Sequence, residues 1–298
     1  MTSKKTVLFP TLAIVIILIL AGFALNTNKK TSVLHRPKHK ASHSLHHQKT
    51  HPRPIAPPTT TLPPPSAKHP LTILSVGDSL GEDLGYGLQD IIGTNPDIRL
   101  ILDSVGSTGL ANVAYYNWPV TLASELSQSH PAIVVILLGG NDAVGFDEGN
   151  QVAVFGSAIW RKYYSLRVAK MMTEASKTAS HVFWVGLPIM ANYSVLPNKS
   201  MEILNQIYLT EAKAYHNITY IPTWKLFQDA TGNFTQDLKD SSGVLTTVRD
   251  LDGVHIAPQA GQELIASYVL RSIDNVEKFH ICPSPTDVWR QYNLKGCN

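Results

Sequence analysis

Five short apolar runs recur along the second part of the chain: Leu71–Val76, Ile98–Leu102, Ala132–Leu138, His181–Gly186 and Ile218–Ile221. Each is the length of a buried strand. Between them lie stretches whose apolar residues are spaced for one helix face, near Leu80–Ile92, Trp118–Gln128, Ala158–Thr178 and Lys199–Tyr215. A last helix follows Pro258, which suits a first-turn position, and runs to about Ile273. Strands alternating with helices predict an α/β domain of three layers. Its centre is a mostly parallel five-stranded sheet with helices on both faces. In such sheets ligands bind beyond the carboxyl ends of the strands, so the loops that follow strands are the ones to inspect.

The pattern upstream is different. Val7 to Leu25 is almost unbroken apolar sequence, with Lys4 and Lys5 before it and Lys29 and Lys30 after it. At ~1.5 Å per helical residue it can cross a hydrocarbon core of ~30 Å. A cleaved signal peptide is the rival reading, but the run exceeds the ~7–15 residues usual for a signal core. We expect residues 1–6 to form a short basic N-terminus and residues 7–25 a transmembrane signal-anchor. Residues 26–70 are rich in Pro, Thr, Ser, Lys and His, and are expected to form a disordered linker. As extended polyproline this arm would reach ~140 Å. Its histidines repeat at no fixed ligand spacing, so linker is a better reading than metal site. The folded domain is expected at 71–275 and a tail at 276–298.

Charge divides along the same line. Of the 25 basic residues among 298, ten lie in residues 1–70, which hold no Asp or Glu. The remaining 15 face 22 acidic residues, so the overall +3 hides a basic arm on a domain of formal charge −7. An acidic domain speaks against nucleic acid as its partner. Cys282 and Cys297, the two cysteines of the chain, both fall in the tail and are expected to pair in an exported protein.

Four loops carry candidate chemistry. After the first run comes Gly77-Asp78-Ser79-Leu80-Gly81. A serine at a strand-to-helix turn has its hydroxyl lifted clear of the backbone, beside the free N–H groups of a helix start. After the second comes Asp103-Ser104-Val105-Gly106-Ser107-Thr108-Gly109, where glycine permits close backbone approach to a ligand. After the third comes Gly139-Gly140-Asn141-Asp142, whose amide can donate to an oxyanion or cap the next element. Before the last helix comes Arg249-Asp250-Leu251-Asp252-Gly253-Val254-His255, where a carboxylate three residues before an imidazole can hold its Nδ1–H. Each signal alone is weak. Four of them on one edge of one sheet supply a nucleophile, a base, an orienter and oxyanion donors, the set that acyl transfer requires. No metal-site constellation emerges, and this chemistry needs neither metal nor cofactor.

Taken in order, the blocks Gly77-Asp78-Ser79-Leu80, Gly109, Gly139-Gly140-Asn141-Asp142 and Asp252-Gly253-Val254-His255 resemble the SGNH superfamily of GDSL-type hydrolases over residues 71–273. The surroundings of Gly109 depart from the commonest form. Trp118-Pro119, Trp160-Arg161-x-x-Tyr164, Trp184-Val185-Gly186-Leu187-Pro188 and Asn205 are similar to a bacterial, extracytoplasmic branch of it. Gly77–Gly81 also fits the nucleophile elbow of α/β-hydrolases. Against that fold, the serine follows the first strand, and acid and histidine share one motif. The resemblance implies a flavodoxin-like fold with Ser79 as nucleophile, His255 as base and Asp252 as its orienter. The Ser79 N–H, the Gly109 N–H and the Asn141 side chain would form the oxyanion hole. It implies an esterase acting on an acylated small molecule or a surface glycan, O-acetyl groups included. The expected location is outside the cell, on a single-pass membrane anchor. An O-acyltransferase or a non-catalytic surface-binding protein are the alternatives.

Overall fold

The computed structural model describes residues 62–240 and 242–281. The predicted anchor and the cysteine pair lie outside these residues. Among the described residues no helix is long and apolar enough to cross a membrane. The last residues of the expected linker, 62–70, form neither helix nor strand, yet Leu62 packs on the core and Ser66 and His69 pair with each other.

Each apolar run becomes a strand of one sheet: β1 (Leu71–Gly77), β2 (Ile98–Ser104), β3 (Ile133–Leu137), then, in the same sheet, β6 (His181–Val185) and β7 (Ile218–Ile221). Two small hairpins that lack an alternating sequence signal account for β4 (Phe146–Glu148) with β5 (Gln151–Ala153), and β8 (Asp237–Lys239) with β9 (Leu245–Thr247). The main sheet runs in the order β2-β1-β3-β6-β7, and every neighbouring pair is parallel. Burial follows position. The central β3 is buried at all five residues, whereas the edge strand β2 is buried only at Ile98. A central parallel strand is covered on both faces, so its sequence is continuously apolar.

The helices are α1 (Ser79–Ile92), α2 (Trp118–Ser129), α3 (Ala158–Ser176), α4 (Asn198–Ala212) and α5 (Ala260–Glu277). One layer pairs α1 with α5; α2 packs on α3 and α3 on α4 in the other. Trp160, Tyr164, Val168, Met171, Met172 and Ala175 line the inner face of α3 at helical spacing. Trp118, Trp160 and Trp184 are all fully buried, so these aromatics serve the core. The last helix starts later than expected. Pro258 precedes its cap, because the chain reverses at Gln259, with φ +60°, and the Gln259 N–H bonds the Gln262 side chain 3.4 Å away.

The strand order reverses at β1, where β2 lies on one side and β3 on the other. This switch point opens a crevice between the loops after β1, β2 and β3, the position where open α/β sheets bind ligands. Three of the four candidate motifs sit there.

Packing of α1 on α5 is close enough to need glycine. A Cβ at Gly87 would collide with the Gln262 backbone carbonyl and stand 3.0 Å from Ala266 Cβ. Alanine normally favours a helix over glycine by ~1 kcal/mol. Gly87→Ala is nevertheless expected to destabilise the fold, by about 1–3 kcal/mol, because backbone cannot yield as a side chain can. Urea unfolding of the two proteins measures this; a gain in stability would contradict the packing.

Candidate active site

Gly77 ends β1, and the next residue, Asp78, caps α1. Its Oδ1 accepts from the Leu80 N–H at 3.0 Å, while Oδ2 accepts from Gly139 and Gly140 N–H at 2.9 and 2.8 Å. One carboxylate thus fixes the Ser79 turn and ties it to the loop after β3. Asp78 is fully buried, and loss of water pushes its pKa up to about 6, against the hydrogen bonds that favour its charge. Ser79 stands at the first position of α1, half-buried, where the N–H groups of the first turn have no helical partner.

The loop Arg249–His255 comes from the far end of the sequence to meet it. His255 Nε2 lies 3.0 Å from Ser79 Oγ. His255 Nδ1 lies 2.5 Å from Asp252 Oδ2, and Asp252 Oδ1 accepts from the Val254 and His255 N–H groups at 2.8 and 2.9 Å. Hydrogen bonds around Asp252 outweigh its partial burial and hold its pKa below the usual carboxylate value. At His255, burial alone would lower the pKa. The Asp252 hydrogen bond, with the charges of Asp252, Asp83 and Asp250, outweighs burial and raises it. The Asp250 carboxylate instead accepts from the Leu251 N–H at 2.7 Å.

Two residues hold this loop, and their roles were not evident in the sequence. Arg249 is fully buried, and it is spent on carbonyls rather than on an anion. It donates to Ile189, Val254 and His255 carbonyls at 2.5, 2.7 and 3.2 Å, between the rings of Phe227 and Phe234. Desolvation lowers its pKa to about 10, which leaves it charged at neutral pH. Asp83, one turn beyond Ser79 on α1, accepts from the Ile256 N–H at 3.0 Å and from Gln262 Nε2 at 3.2 Å. It therefore clamps the residue after His255 to the helix that carries Ser79. The only sequence signal was an acidic residue four positions after the serine.

On the opposite wall, Asp142 is buried and ties the loop after β3 to the loop after β2. It accepts from Leu110 and Ala111 N–H at 2.8 and 2.7 Å and from the Tyr164 hydroxyl at 2.6 Å. Its neighbour Asn141 donates through Nδ2 to the Thr108 carbonyl at 2.9 Å, which fixes the amide at the cavity wall. Gly109 does not face the cavity. It is buried against Asp142, whose carboxylate a Cβ there would strike. The loop turns at Ser107, which adopts φ +61°, and beyond the turn the Leu110 and Ala111 N–H groups meet Asp142. Gly106 and Ser107 line the cavity instead, and nothing lies within 4 Å of a Cβ placed on Gly106. The second-loop glycine at the cavity wall is thus Gly106 rather than Gly109. Counting from the motif could not reveal where the loop reverses.

The cavity holds about 320 Å³. Ser79, His255, Asn141 and Gly106 meet around it, and Tyr193, Val195 and Leu196 form its outer wall. Tyr193 and Val195 are largely exposed at its mouth. No Lys or Arg lines it. Among the described residues no group of His, Cys, Asp and Glu is arranged to hold a metal ion.

The family described as "Protein of unknown function (DUF459)" matches residues 72–272. No curated protein matches the chain in sequence. Among solved structures, a proposed acylhydrolase from Bacteroides fragilis is similar at 16% identity and a TM-score of 0.50, over 74% of this chain and 93% of that one. An acetylxylan esterase from Geobacillus stearothermophilus, solved as a catalytic mutant, aligns at 14% identity and 0.46, over 68% of this chain and 94% of that one. A carbohydrate esterase of family 3 from Talaromyces cellulolyticus aligns at 14% identity and 0.46, over 70% and 98%. At such identity the likeness to the Bacteroides fragilis structure is one of fold, and with its five-stranded parallel sheet between helices that fold is the SGNH-type α/β/α hydrolase fold.

The Asp83 carboxylate stabilises protonated His255. Asp83→Asn keeps an acceptor for the Ile256 N–H but removes the charge. The His255 pKa is expected to fall, so the ring loses its proton at lower pH than in the wild type. NMR titration of the imidazole, identified by its loss in His255→Gln, reads this directly. An unchanged midpoint would reduce Asp83 to a strut.

Proposed function

The chain belongs to the family described as Protein of unknown function (DUF459), and we propose that within it this protein is a serine ester hydrolase acting on O-acyl groups. One observation carries the reading: the unbroken hydrogen-bonded line from Ser79 Oγ through both His255 nitrogens to Asp252, opening on a cavity beside Asn141. Ser79 Oγ attacks the ester carbonyl carbon, and its proton passes to His255 Nε2. Asp252 keeps Nδ1 protonated and so leaves Nε2 free to act as base. The oxyanion forms at the start of α1, where the Ser79 N–H, the Asn141 amide and the Gly106 backbone supply donors. Collapse of the intermediate breaks the ester C–O bond. The leaving alkoxide takes the proton from His255, and an acyl group stays on Ser79. Water, deprotonated by His255, attacks the acyl carbon; the bond to Ser79 Oγ then breaks, Oγ takes the proton back from His255, and the carboxylic acid leaves.

The cavity lining supports an uncharged acyl group. Leu80, Leu196 and Val254 offer apolar wall, and no Lys or Arg lines the cavity to pair with a charged acyl group. Acetyl esters fall within this class. The apolar run 7–25 and the basic, Pro-rich arm behind it support a tethered domain working outside the cytoplasmic membrane. Esters on a surface glycan are the substrates within reach of such an arm.

A fluorophosphonate probe should label the full chain and leave Ser79→Ala unlabelled; equal labelling of both would remove the nucleophile from the proposal. In Asn141→Ala, kcat on p-nitrophenyl acetate is expected to fall about 10²–10³-fold with KM little changed, the usual cost of one oxyanion donor. A change confined to KM would place Asn141 in ground-state binding instead.

A further inference from the structure

A second groove lies on the same edge of the sheet, at the outer flank of β7. It holds about 360 Å³ and is lined by Glu202, Asn205, Gln206 and Leu209 of α4, and by Tyr220, Pro222 and Trp224 at and after the end of β7. The walls are built rather than incidental. Asn205, part of the lining, is spent on both backbone groups of Leu187, with Oδ1 accepting from the N–H and Nδ2 donating to the carbonyl, each at 2.8 Å. That fixes α4 against the end of β6. Thr223, fully buried, donates to the Gly186 carbonyl at 2.5 Å and fixes the 3-10 turn Trp224–Phe227. Gly186 leaves no room for a side chain, because the Tyr220 hydroxyl and Asn205 Oδ1 occupy that space.

Several groups there are unused by the fold. Trp224 is half-buried, so it offers part of a flat face while the remainder packs on the core. The Tyr220 phenol is pushed up to about 12 by burial, and no hydrogen bond to it occurs among the described residues. The carboxylate of Glu202 is likewise without a partner there, on the exposed side of α4 and four residues from Gln206. No Lys or Arg lines the groove.

We propose that this groove is a subsite for neutral sugar rings of a glycan whose acylated unit lies at Ser79. The chemistry selects the ligand class. A pyranose ring presents an apolar C–H face, which packs on a flat aromatic such as Trp224. Its rim of hydroxyls donates to a carboxylate and exchanges hydrogen bonds with an amide, the groups supplied by Glu202 and Gln206. A groove with a carboxylate and no cation rejects anionic sugars. The position fits as well. From β1 to β7 is three strand spacings, ~14 Å along the carboxyl edge, a distance that a few linked sugar rings can bridge.

The proposal rests on the ester-hydrolase reading for what occupies Ser79, and the test separates the two. Full-length Ser79→Ala protein in detergent is titrated with xylotetraose, cellotetraose and chitotetraose, and with a hyaluronan tetrasaccharide as the anionic control. At least one neutral tetrasaccharide should bind and the anionic one should not. Glu202→Gln, an exposed change that leaves the core intact, and Trp224→Ala should each weaken binding about tenfold or more. In the Ser79 enzyme, Glu202→Gln should leave turnover of p-nitrophenyl acetate unchanged while raising KM for an acetylated tetrasaccharide. Absence of binding by all three sugars, or binding indifferent to both substitutions, overturns the subsite. Loss of all ester turnover in the wild type would overturn the hydrolase reading and leave the binding result to decide the groove by itself.

Discussion

Two buried carboxylates hold together the three loops at the switch point of the sheet. Between them Asp78 and Asp142 accept five backbone N–H groups, from Leu80, Gly139, Gly140, Leu110 and Ala111. Loops packed this deeply have no water to satisfy their amides, and an unpaired buried N–H costs ~1–3 kcal/mol. Burying a charge costs several kcal/mol more, so each carboxylate is tolerable only because several donors converge on it. The tension is visible in Asp78. Desolvation and the nearby Asp142 raise its pKa even as three N–H groups act to lower it. The result is a rigid corner from which Ser79 and Asn141 both project at the cavity wall.

The other half of the site is held by different means. The Asp252–His255 loop carries no buried carboxylate at its base; it is gathered around the guanidinium of Arg249, which binds carbonyls of Ile189, Val254 and His255. A planar cation with five donors suits this task, since the groups to be satisfied are acceptors. Asp83 then pins the end of the loop to α1 through the Ile256 N–H. The opposed polarity of the two halves follows from which backbone groups each loop leaves unpaired. The meeting of Ser79 Oγ and His255 Nε2 at 3.0 Å is thus set by side chains that touch neither.

The sequence was informative where a rule is local. Strand positions were readable from apolar runs, because a parallel sheet covered on both faces demands them. The helix segments were readable from spacing, with ends shifted by a few residues. The nucleophile, base and orienter candidates were readable because Asp252 and His255 share one motif and Ser79 sits at a strand-to-helix turn. Hairpins β4–β5 and β8–β9 were not readable, since three-residue strands leave no periodicity. Asp83 was an unremarked acid on a helix. The part played by Arg249 was not readable either, because nothing local distinguishes a guanidinium that binds carbonyls from one that binds a ligand.

The turn at Gly77–Gly81, the order of the strands' apolar runs and the set of side chains able to do acyl chemistry belong to the sequence itself. Propensity, periodicity and helix-start geometry act over a few residues, and they survive without knowledge of the fold. Which glycine faces the cavity did not follow from those rules. The loop after β2 reverses at Ser107 and is drawn inward by Asp142, so Gly106 looks out and Gly109 looks in. That choice depends on a carboxylate more than thirty residues away in sequence. Contacts of that kind exist only once the sheet has brought its carboxyl-edge loops together.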